Sequence, residues 1–156
     1  MHAVTVEIAG LLLGVDVKEV REVWRAKDVL RVPLAPEVII GLVNRRGAVV
    51  TLVDGHRVIE AEPVAHGAGP REFEMLILEH AGEQLAIAVD RLVDTFEVRQ
   101  DKLMPLPPNL STGIQRIATS VHAGSEELTV MASAAKIYET VRASAANANG
   151  ARAGDA

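Results

Sequence analysis

Residues 41–54 read Gly-Leu-Val-Asn-Arg-Arg-Gly-Ala-Val-Val-Thr-Leu-Val-Asp, two Val- and Leu-rich runs interrupted by Asn44, Arg45, Arg46 and Gly47. The flanks have strand composition and the break has turn chemistry, so the spacing predicts strand, tight turn, strand. A hairpin tip needs residues that tolerate positive φ, a role for Gly47 and, to a lesser degree, Asn44. Nothing about folding requires two arginines there. Taken alone, Arg45 and Arg46 are solvated turn residues; a binding role needs support from the rest of the chain.

On the N-terminal side of this hairpin, Val32-Pro33-Leu34-Ala35-Pro36 contains two prolines without amide donors. It is neither helix interior nor central strand, but a fixed connector into Val38 to Val43. Further back, Val4, Val6 and Ile8 alternate with Thr5 and Glu7 at the period of a half-buried strand, Ala9-Gly10 marks a turn, and Leu11 to Val17 is a dense apolar run. Val17, Val20, Val23 and Trp24 fit a helical turn as well as a strand. Because Val is a poor helix former and the run is short, a brief turn followed by a strand is preferred. On the C-terminal side, Gly55 to Glu62 suits a short helix and His66 to Pro70 a loop, the internal linker candidate.

From Phe73 the pattern restarts: Phe73 to Glu79 as a strand, Ala81-Gly82 as a turn, and Leu85 to Val89 as a second strand. Sliding the chain on itself by about 72 residues aligns the punctuation. Gly10 meets Gly82, Pro33 meets Pro105, Pro36 meets Pro108 and Gly41 meets Gly113; Glu7, Ala9, Leu13, Val17 and Leu34 also meet identical residues. Roughly nine identities in about forty positions exceed the three or four that composition supplies, and indicate an internal duplication. The second copy then diverges, with strands over Ile114 to Ala123 and Leu128 to Ala132 joined by a longer turn at His122 to Glu126. Without a gap, Arg45 and Arg46 fall on Ile117 and Ala118, so the charged tip belongs to one copy only. Ala134 to Arg142 carries Ile137, Tyr138 and Val141 on one stripe and is predicted as a terminal helix. Residues 146–156 have nothing to bury and read as a disordered tail.

The chain of 156 residues is 49% hydrophobic, enough to fill the core of one domain or two very small ones. With 3% aromatic residues and a net charge of −5, it lacks both stacking platforms and a basic face, which argues against nucleic acid. No apolar run has the length of a membrane span, and Met1-His2-Ala3 leads directly into a strand, so a cytoplasmic location is expected. The absence of cysteine excludes disulfides, thiolate catalysis and Cys-ligated zinc.

Sites for chemistry are not evident. His2, His56, His66, His80 and His122 are scattered, and Asp54 and His56 lack a third metal ligand. Asp90 and Asp94 would make an acid/base pair on one face of a helix, but Asp54, Asp90 and Asp94 all stand at element ends, where carboxylates serve as caps. Ser111, Ser120, Ser125 and Ser133 lie in no nucleophile-elbow context, and Gly67 to Pro70 lacks the Lys and helix of a phosphate loop. No catalytic residue, metal or cofactor is expected.

A duplicated all-β module whose first half carries Gly-x-x-Asn-x-Arg-Gly and then an apolar strand ending in Val53-Asp54 resembles the CheW family of chemotaxis coupling proteins. The resemblance runs from about Val4 to Val141. It is carried also by Gly14-Val15-Asp16-Val17, Val20 and Glu22, Val32-Pro33 with Pro36, Ala88-Val89-Asp90 and Met104-Pro105; Arg45, Thr51 and Gly55 stand where the family pattern has Leu, Pro and Leu. It implies an all-β fold of two SH3-like five-stranded barrels related by the duplication, with short helices and a C-terminal helix. The single domain would cover 1–145, the first barrel about 10–70 with strand exchange or packing from the rest, the second about 71–145. It also implies a non-catalytic adaptor linking the cytoplasmic tips of chemoreceptors to the regulatory domain of a CheA-type histidine kinase, without membrane insertion.

By motif, the implied receptor-facing residues are Val20, Gly41, Val43, Asn44, Arg46 and Gly47, with Glu22 as the partner of Arg46. A kinase contact of paired barrels has an apolar centre, expected on the second copy at Leu76, Leu78, Ile114, Ile117 and Val121. Two other classes remain: a small-ligand sensor using the groove between barrels, which a thermal-shift hit would favour, and a barrel that oligomerises an unrelated assembly, which capture of a kinase would disfavour.

Overall fold

The computed structural model describes residues 1–62 and 72–154, with side chains to 147; the loop expected at His66 to Pro70 lies outside the described residues. Strands β1 (His2–Ile8) and β2 (Leu11–Asp16) form a hairpin across Ala9 and Gly10, both at positive φ. The Asp16 carboxylate caps one 3-10 turn over Val17–Glu19 by accepting from the Lys18 amide at 3.0 Å, and the chain enters β3 (Val20–Ala26). The expected brief turn and strand are both present. Strands β4 (Val29–Leu30), β5 (Ile39–Arg45) and β6 (Ala48–Asp54) follow, then helix α1 (Gly55–Val58), capped by the Asp54 carboxylate on the His56 amide at 3.0 Å.

The second pass repeats the first. Strands β7 (Phe73–His80) and β8 (Glu83–Val89) turn at Ala81-Gly82, again at positive φ, and lead to β9 (Arg91–Glu97) and β10 (Leu103–Met104). Helix α2 (Thr112–Ile117), β11 (Ala118–Ala123), β12 (Leu128–Ala132) and α3 (Ala134–Gly154) complete the chain.

The fold is mainly β, in two six-stranded sheets ordered β10-β11-β12-β2-β1-β9 and β3-β7-β8-β6-β5-β4. Replacing each strand of the first copy by its counterpart in the second converts one order into the other. The copies have therefore exchanged their leading hairpins: β1-β2 sits in the sheet of β9 to β12, and β7-β8 in the sheet of β3 to β6. Each exchanged hairpin joins its host by one parallel pair, β2 with β12 and β8 with β6. The expected division near residue 70 does not describe the sheets, since one is built from 20–89 and the other from 2–16 with 91–132.

Exchange explains the apolar density of these strands, which are buried on both faces. From β7 and β8, Phe73, Met75, Ile77, Ala86 and Ala88 fill the inside of the first barrel with Ile40, Val43, Val50 and Leu52. Leu76, Leu78, Leu85, Ile87 and Val89 point the other way, into a core shared with Val4, Val6, Ile8, Leu13 and Val15. Trp24 of edge strand β3 packs on the same cluster as Val43 and Val29 near the opposite edge, so the sheet curls on itself. Helix α3 lays Ala134, Ile137, Tyr138 and Val141 on the shared core. The Tyr138 hydroxyl donates to the Glu83 carbonyl at 2.7 Å, and the Glu19 carboxylate caps α3 by accepting from the Ala134 amide at 2.7 Å.

Three expectations are corrected. Residues 112–117 are helical, because Ser111 caps the Ile114 amide at 3.4 Å and Gly113, Ile114 and Ile117 turn one face inward. This helix is inserted in the second copy, so past it the copies align at an offset of about 79 residues: Val43 faces Val50 as His122 faces Thr129. Gly124, not Ile117, therefore stands where the first copy has Arg45. Lastly, α3 continues to Gly154 through the stretch expected as a tail, as its alanine content favours.

Candidate functional site

At the β5-β6 tip, Arg45 pairs with Ala48, which makes Arg46 and Gly47 the two turn residues, at φ 52° and 85°. Two consecutive positive φ values give a turn whose twist matches the strands. Gly47 plays its expected part; the other left-handed residue is Arg46, while Asn44 fixes the turn by accepting from the Gly47 amide at 2.9 Å.

Side chains alternate along β5, so Val43 and Arg45 point to the barrel interior. Val43 is in the core, and Arg45 lies at the mouth, where Glu22 of β3 meets it. Glu22 Oε2 accepts from Arg45 Nε at 2.7 Å and Nη2 at 2.6 Å, while its Oε1 accepts more distantly from Arg46 Nη2 at 3.3 Å. The Arg45 side chain is 12% exposed and that of Arg46 71%. Glu22 thus meets Arg46 as expected, but its closer partner is Arg45, which is a largely buried structural arginine and not a solvated turn residue. A guanidinium at a position otherwise suited to Leu is accommodated because its stem is apolar and its head has a carboxylate across the mouth.

Arg46 also lies over the indole of Trp24, with 5.9 Å from its guanidinium carbon to the ring centroid. Trp24 was not among the expected site residues, although its two-residue spacing from Glu22 on a strand puts both on one face. Of the remaining expected residues, Asn44 and Gly47 are exposed beside Arg46, Val20 is half-buried opposite Leu78, and Gly41 is buried. A Cβ on Gly41 would lie 2.4 Å from the Leu30 carbonyl oxygen, so this glycine serves the close approach of β4.

The expected kinase surface needs correction. Leu76, Leu78 and Ile117 are 1% exposed or less, and Val121 and the half-buried Ile114 pack with them in the shared core. Leu76, Leu78 and Ile117 therefore offer a partner almost no surface in the folded protein, and Ile114 only part of its side chain. Large apolar side chains are exposed elsewhere, in matched pairs: Leu30 (66%) and Val49 (72%) on the first barrel, Met104 (55%) and Leu128 (67%) at the equivalent positions of the second.

His56 and Asp90 serve the fold. The ring of His56 is held between the Glu62 carbonyl at 3.1 Å on Nδ1 and the Asp90 carboxylate at 2.8 and 2.9 Å on Nε2. Asp90 also accepts from the Ala9 amide at 2.7 Å, tying the exchanged hairpin to the other sheet. Burial draws the His56 pKa down, but hydrogen bonds to Asp90 and Glu62 and the charges of Asp90 and Asp54 outweigh it and hold the pKa above its ordinary value. Both partners are acceptors, so only the imidazolium donates to both. Asp94 lies within β9 rather than on a helix.

Two barrels with exchanged hairpins and a charged tip define the class, and comparison with known proteins agrees. Residues 2–142 match the CheW-like domain model. The chain belongs to this family of chemotaxis scaffold and coupling proteins. It is 27% identical over 131 residues to the chemotaxis protein CheW of Treponema pallidum, covering 82% of this chain and 76% of that one. Identity to CheW of Klebsiella aerogenes is 23% over 128 residues, covering 81% and 75%. The scaffolding protein TtCheW of Thermoanaerobacter tengcongensis has a similar fold, with a TM-score of 0.71 at 20% identity over 84% of this chain and 87% of that one. Among the described residues no helix is long and apolar enough to cross a membrane.

Proposed function

We propose that the chain is a cytoplasmic, non-catalytic adaptor that couples the cytoplasmic tips of chemoreceptors to a CheA-type histidine kinase. One observation carries the reading: Glu22, engaged by Arg45, also reaches Arg46, whose exposed guanidinium stands over Trp24 at the tip of a tight hairpin. Five fixed donors suit the carboxylates and helix-end carbonyls of a receptor's helical hairpin in a way a lysine cannot match. Asn44, Arg46 and Gly47 form the contact surface, Glu22 orients it, and Val20, Gly41 and Val43 support it from beneath.

The kinase's regulatory domain docks through an apolar centre, for which the exposed Leu30/Val49 and Met104/Leu128 pairs are suited. The test is binding of the wild-type chain to a receptor cytoplasmic fragment and, separately, to a kinase regulatory domain. Leu30→Asp or Met104→Asp should weaken only the kinase complex, and Arg46→Ala only the receptor complex. Failure of the wild-type protein to bind either partner would reject the reading.

A further inference from the structure

The internal duplication lets the chain serve as its own reference. By strand register, Asp94 and Phe96 of β9 correspond to Glu22 and Trp24 of β3: Thr5 and Ala3 of β1 face the former pair as Ile77 and Met75 of β7 face the latter. His122 and Thr129 correspond to Val43 and Val50, and Gly124 to Arg45. The second barrel therefore repeats the carboxylate and the aromatic ring of the first barrel's mouth but lacks the guanidinium that joins them.

The consequence is a space. A cavity of about 480 Å³ opens at the mouth of the second barrel, lined by Asp94, Phe96, His122, Glu126, Glu127 and Thr129 among others, with no lysine or arginine among the described residues of its wall. Asp94 is exposed, and among the described residues it has no ion pair; its carboxylate accepts from the adjacent Thr95 amide at 2.7 Å. The wall has changed in the same sense as the mouth. Where the first barrel has Ile77, Val43 and Val50, this one has the buried polar residues Thr5, His122 and Thr129. His122 packs against Phe96 at 4.9 Å between ring centroids with the ring planes tilted by 57°, and its Nε2 accepts from the Arg99 amide at 3.2 Å, which leaves Nδ1 as the ring's donor. A wall whose described residues include three carboxylates and an aromatic ring but no lysine or arginine favours a positively charged guest.

We infer that the mouth of the second barrel is a binding site for an alkylguanidinium group, which would lie against Asp94 and Phe96 as Arg45 and Arg46 lie against Glu22 and Trp24. The group is an arginine side chain presented by another protein or a small guanidine, and the two are separable by experiment. The site is distinct from the β5-β6 tip and does not depend on the adaptor reading.

The test follows amide and side-chain NMR signals of the full chain during titration with methylguanidinium and, in a parallel arm, with a short capped peptide containing one arginine. A free guanidine as ligand predicts saturable shifts at Phe96, His122 and Thr129 in the first arm; a side-chain source predicts tighter binding in the second. Asp94→Asn should weaken binding at least about tenfold, the loss expected for a hydrogen bond to a charged group. Gly124→Arg supplies the missing guanidinium from within: it should raise the melting temperature and prevent the probes from shifting the cavity signals. Gly124 is exposed and not at positive φ, and a Cβ there meets only the Glu127 carbonyl oxygen, at 3.2 Å. Shifts that do not saturate, that spread over the acidic surface, or that persist unchanged in Asp94→Asn would overturn the inference.

Discussion

The Arg45 guanidinium closes on the Glu22 carboxylate at 2.6 and 2.7 Å across the mouth of the first barrel, joining β5 to an edge strand with which it shares no backbone hydrogen bond. The pair therefore latches a curled sheet where its ladder ends. Removing Arg45 leaves the half-buried Glu22 carboxylate with only the exposed Arg46 guanidinium, at 3.3 Å. Arg45→Ala should cost about 1–3 kcal/mol in urea unfolding. A loss below about 0.5 kcal/mol would show that the mouth is held by apolar packing alone.

Arg46 occupies the left-handed region at φ 52°, a conformation that costs a non-glycine residue roughly 1 kcal/mol. Relief of this strain predicts that Arg46→Gly keeps or gains stability even though it removes a side chain near Glu22 and Trp24. A thermal midpoint clearly below that of Arg46→Ala would contradict it.

Hairpin exchange makes each half incomplete. A fragment of residues 1–70 lacks β7 and β8, which form the centre of its own sheet, and its β1-β2 hairpin has lost its host. It should give a poorly dispersed amide spectrum, as should residues 71–156 alone, whereas mixing the two should restore dispersion. Sharp dispersion from residues 1–70 in isolation would contradict the exchanged arrangement.

The duplication, the three Gly-containing turns and the Proline connector are legible in the sequence because each depends on local backbone constraint. The exchange enters only as one alternative implied by the resemblance, since residue spacing records the strands but not which copy hosts a hairpin. The same blindness offered core residues as a contact surface. Leu76 and Leu78 alternate like residues with one free face, yet that face meets the other barrel's β1 and β2. Arg45 was misread because a half-buried arginine and a solvated one look alike until the carboxylate across the mouth is known. Gly55 has a similar explanation: a Cβ there would lie 2.4 Å from the Ala88 carbonyl oxygen, a contact set by the exchanged β8.

His56 makes stability depend on pH. Its pKa is raised in the folded state, so the stabilisation is fully present below the unfolded value near 6.5 and is lost as pH rises through the higher folded value. Urea midpoints should fall over that interval in the wild-type protein and less steeply in His56→Gln. Parallel profiles for the two proteins would remove His56 as the cause.

The most direct test of the adaptor reading is the affinity of a receptor cytoplasmic fragment for Arg46→Ala, measured beside the variant's unfolding free energy. A central arginine contact of about 2 kcal/mol predicts at least about a thirtyfold loss of affinity. Stability should stay within about 1 kcal/mol of wild type, since the contacts Arg46 makes within the chain are exposed. Wild-type affinity in Arg46→Ala, with the protein folded, would contradict the assignment of the β5-β6 tip as the receptor-facing surface.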